Sequence, residues 1–367
     1  MTLETKIRID LVWDGRAIRG AHLAPRRLLE VSRLVRGKSV AETARTIPLL
    51  FSLCGKAQGV AAALALEAAQ GGAEVSRERE RQVVGEAIQE TAWRFLIDLP
   101  PLFGMAPAPQ ALAALRKQCA ELPAGESLAA DLEAFIATHF LGMACSAWRE
   151  LATADSLEDW LKRADTPAAE IIKRLWRDAD NRAGNAVALL PDLDERRMVG
   201  EMLPALLADP TFAARPEWRG QPAETGATAR LARHPLLREI LRRHGATVGV
   251  RLLAKLIELS RLADALRGDT LSHLGWIRCA QVRENAGLAW LQTSRGLLVH
   301  YAEVENGEVA DYRIVAPTEW NFHPDGALAR GLTGKAATSE QQARRHAELL
   351  VLALDPCVGH EIGISHA

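Results

Sequence analysis

The sequence predicts a mainly α-helical chain with small antiparallel β hairpins, an α+β class. Two observations carry this. Residues 6–23 and 297–315 each hold two alternating apolar–polar runs joined by a tight-turn dipeptide. Between them, apolar residues recur at helical spacing for most of the chain.

The elements follow in order. Lys6–Trp13 places Ile7, Ile9, Leu11 and Trp13 on one face of a strand. Asp14-Gly15 and then Ala17–Leu23 complete a hairpin, and the dipeptide predicts a type I′ turn with positive φ at both central residues. Arg26–Arg36 reads as a helix that stops at Gly37. Val40–Leu50 and Gly59–Gln70 read as helices flanking Cys54. Arg77–Leu99 is long and amphipathic, and Pro100-Pro101 is expected to end it. Further helices are expected near Ala108–Glu121, Leu128–Leu151, Leu157–Lys162, Ala168–Arg177, Asp194–Leu207, His234–His244 and Thr247–Leu266. Pro210–Thr228, rich in Pro, Gly and Thr, reads as a loop. The second hairpin joins Leu297–Glu305 to Glu308–Val315 through Asn306-Gly307. One intertwined domain over residues 1–367 is expected: a hairpin at about 6–23, a helical body at about 26–290, a hairpin at about 296–316, and a C-terminal helix with a cysteine motif at about 338–363.

Bulk properties narrow the function. The chain of 367 residues is 48% hydrophobic and 25% charged, as a globular protein is. Its net charge of -1 gives no field for nucleic acid or an anionic membrane surface. The most apolar stretch, Gly59–Ala69, contains Glu67 and is too short to span a bilayer, so no membrane insertion is expected. No basic, apolar leader is readable, and the five scattered cysteines do not form a disulfide framework. The expected compartment is the cytoplasm.

Two cysteine segments stand out. They are Ser52-Leu53-Cys54-Gly55-Lys56-Ala57 and Asp355-Pro356-Cys357-Val358-Gly359-His360. Taken singly, Cys54 reads as a small buried hydrophobe and Cys357 as a loop cysteine. Together with their surroundings they resemble the large subunit of nickel–iron hydrogenases, whose motifs read R-x-C-G-x-C and D-P-C-x-x-C-x-x-H. Arg295-Gly296, the following hairpin and Val315-Ala316-Pro317-Thr318-Glu319-Trp320-Asn321 resemble the family's A-P-R-G, hairpin and V-P-T-T-W-N. Gly226 and Ala229-Arg230 resemble its V-G-P-L-A-R, and Ile7-Arg8-Ile9 falls in the register of its N-terminal strand. The resemblance runs in order from about residue 3 to 363 and is weakest across about 100–220. It implies a shortened large-subunit-like helical fold.

The departures matter as much. In that family four thiolates bind nickel, and the second cysteine of each pair also bridges to an iron carrying cyanide and carbon monoxide. Here Ala57 and His360 occupy the bridging positions. Alanine cannot ligate and imidazole supplies no bridging sulfur, so nickel and hydrogen turnover are not expected. Ser52, Ala61, Ser294 and Gly363 replace further family residues. No catalytic residue is assigned.

What remains resembles the HupK and HoxV type of hydrogenase accessory proteins. That resemblance implies a non-catalytic scaffold for the iron dicyano-carbonyl part of the cofactor, bound transiently through Cys54 and Cys357. Arg295 and Thr318 are the implied contacts to the diatomic ligands, His360 is a candidate ligand or hydrogen-bond donor, and Glu4 matches a proton-relay position. The implied partners are hydrogenase maturation chaperones and the large-subunit precursor. A metal-free interaction module, binding chaperones or a small subunit, is the alternative; a divergent catalytic subunit is a third reading that Ala57 and His360 disfavour. Cys119, Cys145 and Cys279 read as packing residues, as do Trp93, Trp148, Trp160 and Trp176. His234 and His244 are not spaced to share one helix face.

Overall fold

The computed structural model describes residues 6–23, 29–121, 126–177, 187–268 and 270–367. Nine strands punctuate a largely helical chain: β1 (Ile7–Trp13), β2 (Ile18–Leu23), β3 (Ala188–Leu189), β4 (Ala223–Glu224), β5 (Ile277–Arg283), β6 (Ala286–Thr293), β7 (Gly296–Glu305), β8 (Glu308–Val315) and β9 (His360–His366), among the described residues.

The first hairpin forms where its alternation predicts, but its turn differs. Gly15 alone is left-handed, at φ 88°. The Asp14 carboxylate instead accepts from the backbone N–H groups of Arg16 and Ala17 at 2.9 and 2.8 Å, so a side chain organises the loop. The β7–β8 turn does take two left-handed residues, Asn306 at 52° and Gly307 at 82°. Neither hairpin stands alone. β9 joins β1 in parallel, making a mixed sheet in the order β2-β1-β9. β5 and β6 extend the second hairpin to four antiparallel strands.

The helical body therefore does not reach residue 290, because residues 277–293 form β5 and β6. The reason is burial on both faces. Ala289 and Leu291 of β6 enter the main core, while Leu288 and Trp290 enter a second core with Met198, Met202 and Leu206. A strand buried on both sides shows no alternation, so its apolar run reads like a helix.

The helix Gly55–Ala69 lies across this sheet. A Cβ on Gly287 of β6 would stand 2.1 Å from the Ala65 carbonyl oxygen and 2.3 Å from the Ala69 nitrogen. Small residues on both elements let the backbones touch. The helix begins at Gly55, earlier than Gly59. The helix Arg77–Trp93 also departs from expectation. It is not ended by Pro100-Pro101 but widens over Arg94–Asp98 into a π turn and continues as Leu99–Leu102. Proline 100 has no N–H for the Leu96 carbonyl, and Ala108 N–H donates to that carbonyl at 2.8 Å instead. Similar widened turns divide the segment expected as Leu128–Leu151 and the one expected as Asp194–Leu207. The expected loop Pro210–Thr228 contains β4 and leads into a short helix, Ala227–Arg230.

Helix Val248–Arg267 runs through the centre, buried on nearly every side. It nevertheless carries Arg251, Lys255 and Glu258, spaced to share one face. Each is paired: Arg251 with Glu224 at 2.6 Å, Lys255 with Asp355 at 2.8 Å, and Glu258 with Arg230 at 2.6 Å. This charged stripe ties the central helix to the loops that carry the candidate site. Among the described residues no helix is long and apolar enough to cross a membrane.

Candidate metal centre

Cys54 caps the N-terminus of helix Gly55–Ala69. Glycine follows because a Cβ at position 55 would sit 2.9 Å from the Pro48 carbonyl oxygen. The next two backbone N–H groups, of Lys56 and Ala57, donate to the Glu86 carboxylate at 2.8 and 3.1 Å. An acid from helix Arg77–Trp93 thus satisfies the free donors and the positive end of the cysteine helix. Burial still raises the Glu86 pKa above its ordinary value.

Cys357 follows the C-terminus of helix Glu340–Leu354. Asp355 ends that helix in the left-handed conformation, at φ 60°. Its buried carboxylate accepts from Arg94 Nε at 2.6 Å and Lys255 Nζ at 2.8 Å, and Arg295 Nε lies 3.5 Å away. Burial alone would raise its pKa, but Lys255, Arg94 and Arg295 hold it well below the usual carboxylate range. Arg94 also donates to the Pro356 carbonyl at 2.8 Å. The Asp-Pro-Cys turn is therefore held by both side-chain and backbone contacts.

The fold brings the two cysteines together. They are 303 positions apart (357 − 54), yet the fold sets their thiols side by side, close enough for Cys357 to act on the Cys54 thiol. That contact and burial push the Cys54 thiol well above its ordinary value, while the Arg295 charge opposes the shift. Each sulfur also receives a donor from its own side. Thr318 Oγ1 donates to Cys357 Sγ at 3.2 Å and accepts from the Cys357 backbone N–H at 3.3 Å. Gln58 Nε2 lies 3.8 Å from Cys54 Sγ.

Arg295 sits beside the pair, paired with Glu90 and near Asp355. Its Nε makes no hydrogen bond among the described residues. Both carboxylates keep it charged despite burial. Burial lifts Glu90 to about 7 against the opposing pull of Arg295, and Ser294 Oγ donates to Glu90 at 3.1 Å. Asn321 locks the surrounding loops: its Oδ1 accepts from Thr225 N–H at 2.9 Å, and its Nδ2 donates to the carbonyls of Arg295 and Leu354 at 3.1 and 3.3 Å.

A cavity of about 770 Å³ lies alongside. Ser52, Lys56, Glu90, Arg295, Pro356 and His360 are among its walls, and Cys54 and Cys357 are not. His360 is half-buried at the start of β9. Its pKa is lowered by burial and by Arg94, and Arg94 and Asp98 are the charged groups that face it. Among the described residues no group of three or more His, Cys, Asp or Glu side chains is arranged to hold a metal ion. Of the candidate residues, then, the fold gathers Cys54, Cys357, Arg295 and Thr318 and leaves His360 in the cavity wall. Ala57 is buried one turn after Cys54. Glu4 lies outside the described residues.

Sequence reasoning assigned no role to Gln58, Glu86, Glu90, Arg94, Lys255, Asp355 or Asn321. One signal was present: Glu86 and Glu90 are one turn apart in a helix whose buried residues include Val83, Ala87 and Ile88. Cys119 and Cys145 are buried as packing residues, and Cys279 is half-buried.

A shortened large-subunit-like frame with a two-thiol centre is the class these features define. A family model for nickel-dependent hydrogenases matches residues 235–359. The solved structure of an NAD+-reducing [NiFe]-hydrogenase in the H2-reduced state superposes with a TM-score of 0.60 at 17% identity, covering 94% of this chain and 93% of that one. The Ni-Fe-Se hydrogenase of D. vulgaris Hildenborough in the reduced state gives 0.57 at 15% identity, covering 94% of each chain. The fold is that of these large subunits. In sequence, the chain is 30% identical over 347 residues to the hydrogenase expression/formation protein HoxV of Cupriavidus necator, spanning 90% of this chain and 89% of that protein. It is 33% identical over 361 residues to the hydrogenase expression/formation protein HupK of Azotobacter vinelandii, spanning 93% of each. The chain belongs to this family of HoxV- and HupK-type hydrogenase expression/formation proteins.

Proposed function

We propose that this chain acts in hydrogenase maturation as a non-catalytic holder of the iron dicyano-carbonyl fragment, bound between Cys54 and Cys357 and then passed to the large-subunit precursor. The observation that carries the reading is the thiol pair: two buried cysteines from distant segments, in contact with each other and flanked by a buried guanidinium. Two thiolates are soft ligands suited to iron that already carries diatomic ligands. Binding would release the thiol protons, and the Arg295 charge would offset the negative charge left behind. Glu90 and Asp355 hold that guanidinium beside the sulfurs, where its remaining N–H groups suit a cyanide nitrogen.

The absent ligands support a holding role. Ala57 contributes no donor atom, and His360 faces Arg94 and Asp98. The full four-sulfur nickel site is not built, in line with relatives named as expression/formation proteins rather than as hydrogenases. The working partners in this reading are the maturation chaperones and the unfinished large subunit, and the setting is the cytoplasm.

The test is infrared spectroscopy on protein isolated without oxygen from cells containing the maturation machinery. Bands of iron-bound cyanide and carbon monoxide should appear and be lost in Cys54→Ala and in Cys357→Ala, with circular dichroism unchanged. A band-free protein, from cells whose chaperones do show the bands, would replace this reading with the metal-free interaction module.

A further inference from the structure

From Cys54 a line of buried polar groups runs into the core. Gln58 is one helical turn after Cys54, and its backbone N–H donates to the Cys54 carbonyl at 3.0 Å. Its side chain reaches back, with Nε2 3.8 Å from Cys54 Sγ. On the other side, Gln58 Oε1 is 2.8 Å from His300 Nε2, on β7. His300 Nδ1 is 2.7 Å from the Tyr312 hydroxyl, on the neighbouring β8. Gln58 is 2% exposed, and His300 and Tyr312 are fully buried. Such a polar line inside an apolar core is retained only where its groups satisfy one another.

The line has a direction. Burial pushes the His300 pKa down to about 3, so the imidazole is neutral, with one ring nitrogen donating and the other accepting. Two arrangements are then self-consistent. In one, Tyr312 donates to Nδ1, Nε2–H donates to Gln58 Oε1, and the Gln58 amide N–H points at the Cys54 sulfur. In the other every bond is reversed, and Gln58 Oε1 faces the sulfur. Tyr312 decides between them. Its hydroxyl has no hydrogen-bond partner other than His300 among the described residues. Reversal would strand the phenolic proton of a fully buried side chain, which is costly. The first arrangement strands no such proton.

We propose that Tyr312, His300 and Gln58 form a directional relay of positioning residues that holds an amide N–H on the Cys54 sulfur, fixing that sulfur as an acceptor. Thr318 does the same for Cys357 with its hydroxyl. Each sulfur is thus held by a donor from its own side of the pair. The consequence for bound iron rests on the function proposed above: an N–H on a ligating thiolate withdraws electron density from it, and less density reaches the carbon monoxide on the iron.

Two measurements test this. The first needs no iron. Nitrogen-15 NMR of the histidine rings, with the His300 signals assigned by their loss in His300→Gln, should show the Nε2–H tautomer in the wild-type protein, and in Tyr312→Phe the unprotonated Nδ1 resonance should shift as it loses its donor. A wild-type Nδ1–H tautomer overturns the relay. The second uses the iron-loaded protein. Gln58→Glu is nearly isosteric and keeps an acceptor for His300, but presents no amide N–H to the sulfur. Its carbon monoxide band should move to lower wavenumber with loading retained, and Gln58→Leu should move the band the same way. An unmoved band in both variants overturns the relay's role at Cys54. If the wild-type protein carries no iron bands, the holder reading fails, and the tautomer result still decides the relay.

Discussion

Asp355 accepts a hydrogen bond from Lys255 at 2.8 Å across the core, two residues before Cys357. With Arg94 at 2.6 Å and Arg295 at 3.5 Å, this one carboxylate faces three cations. Substituting it leaves buried positive charge without a counter-ion. Asp355→Ala should therefore destabilise the protein by about 3–5 kcal/mol. The left-handed backbone at 355 adds to the loss, because alanine tolerates it less well than aspartate. Denaturant titration of the two proteins, compared at the midpoint, checks the value. A change below about 1 kcal/mol would mean that the cations do not depend on Asp355.

Two glycines should be intolerant of alanine for different reasons. At Gly287 the added methyl meets the backbone of helix Gly55–Ala69, 2.1 Å from the Ala65 oxygen. Helix and sheet would have to separate. At Gly296 the methyl falls 2.3 Å from Thr225 Cγ2, and the backbone φ of 134° is itself costly for any side chain. Each variant should lose about 3 kcal/mol or more. Gly307→Ala is the control: its methyl meets nothing within 4 Å, so only the left-handed φ of 82° is penalised, by about 1 kcal/mol. Thermal melts of the three should rank in that order.

Acid should destabilise the fold through His300. In the unfolded chain its imidazole protonates near its ordinary value of 6.5, whereas in the core it resists protonation down to about 3. Between these values the unfolded state binds more protons. Stability therefore falls as pH drops from 6.5 toward 3, by up to about 1.4 kcal/mol per unit from this residue. His300→Gln should show a flatter dependence between pH 6.5 and 5, even if its absolute stability is lower. Parallel slopes for the two proteins would rule out this linkage.

Asn321 offers a sharper probe of the loops around the thiols. Asn321→Asp keeps the shape and the acceptor for Thr225 N–H, but removes the donor to the carbonyls of Arg295 and Leu354. Two buried acceptors lose their partner, and a carboxylate oxygen faces them. A loss of about 3 kcal/mol is expected by urea unfolding. Under the proposed holder function, Asn321→Asp should also retain less iron than the wild-type protein per mole of folded chain.

The sequence was legible where periodicity and local chemistry speak. The helical runs, the β7–β8 hairpin with Asn306-Gly307 and the cysteine segments were readable from a few residues each. β5 and β6 were not, because a strand buried on both faces loses the alternation that marks it. Nor was β9, whose partner β1 lies at the other end of the chain. At the site, Cys54, Cys357, Arg295 and Thr318 could be singled out by resemblance. The acids and amides that hold them could not. Glu86, Glu90, Gln58 and Lys255 look like helix-surface residues until the fold shows that those faces turn inward. A buried pairing of charges depends on which elements meet, and neither hydropathy nor spacing records that.

The clasp of β1 by β9 sets an order of events during synthesis. The strand next to the second thiol completes a sheet that the first strand of the chain began, so early segments wait for late ones. Cys54 emerges from the ribosome with its intended neighbour 303 positions (357 − 54) away in sequence. Until helix Glu340–Leu354 docks and Asp355 finds its cations, that thiol lacks its second cysteine. Contacts between such distant segments form slowly. The paired-thiol centre is thus a property of the folded whole, and a partial chain presents a single sulfur without its opposite number.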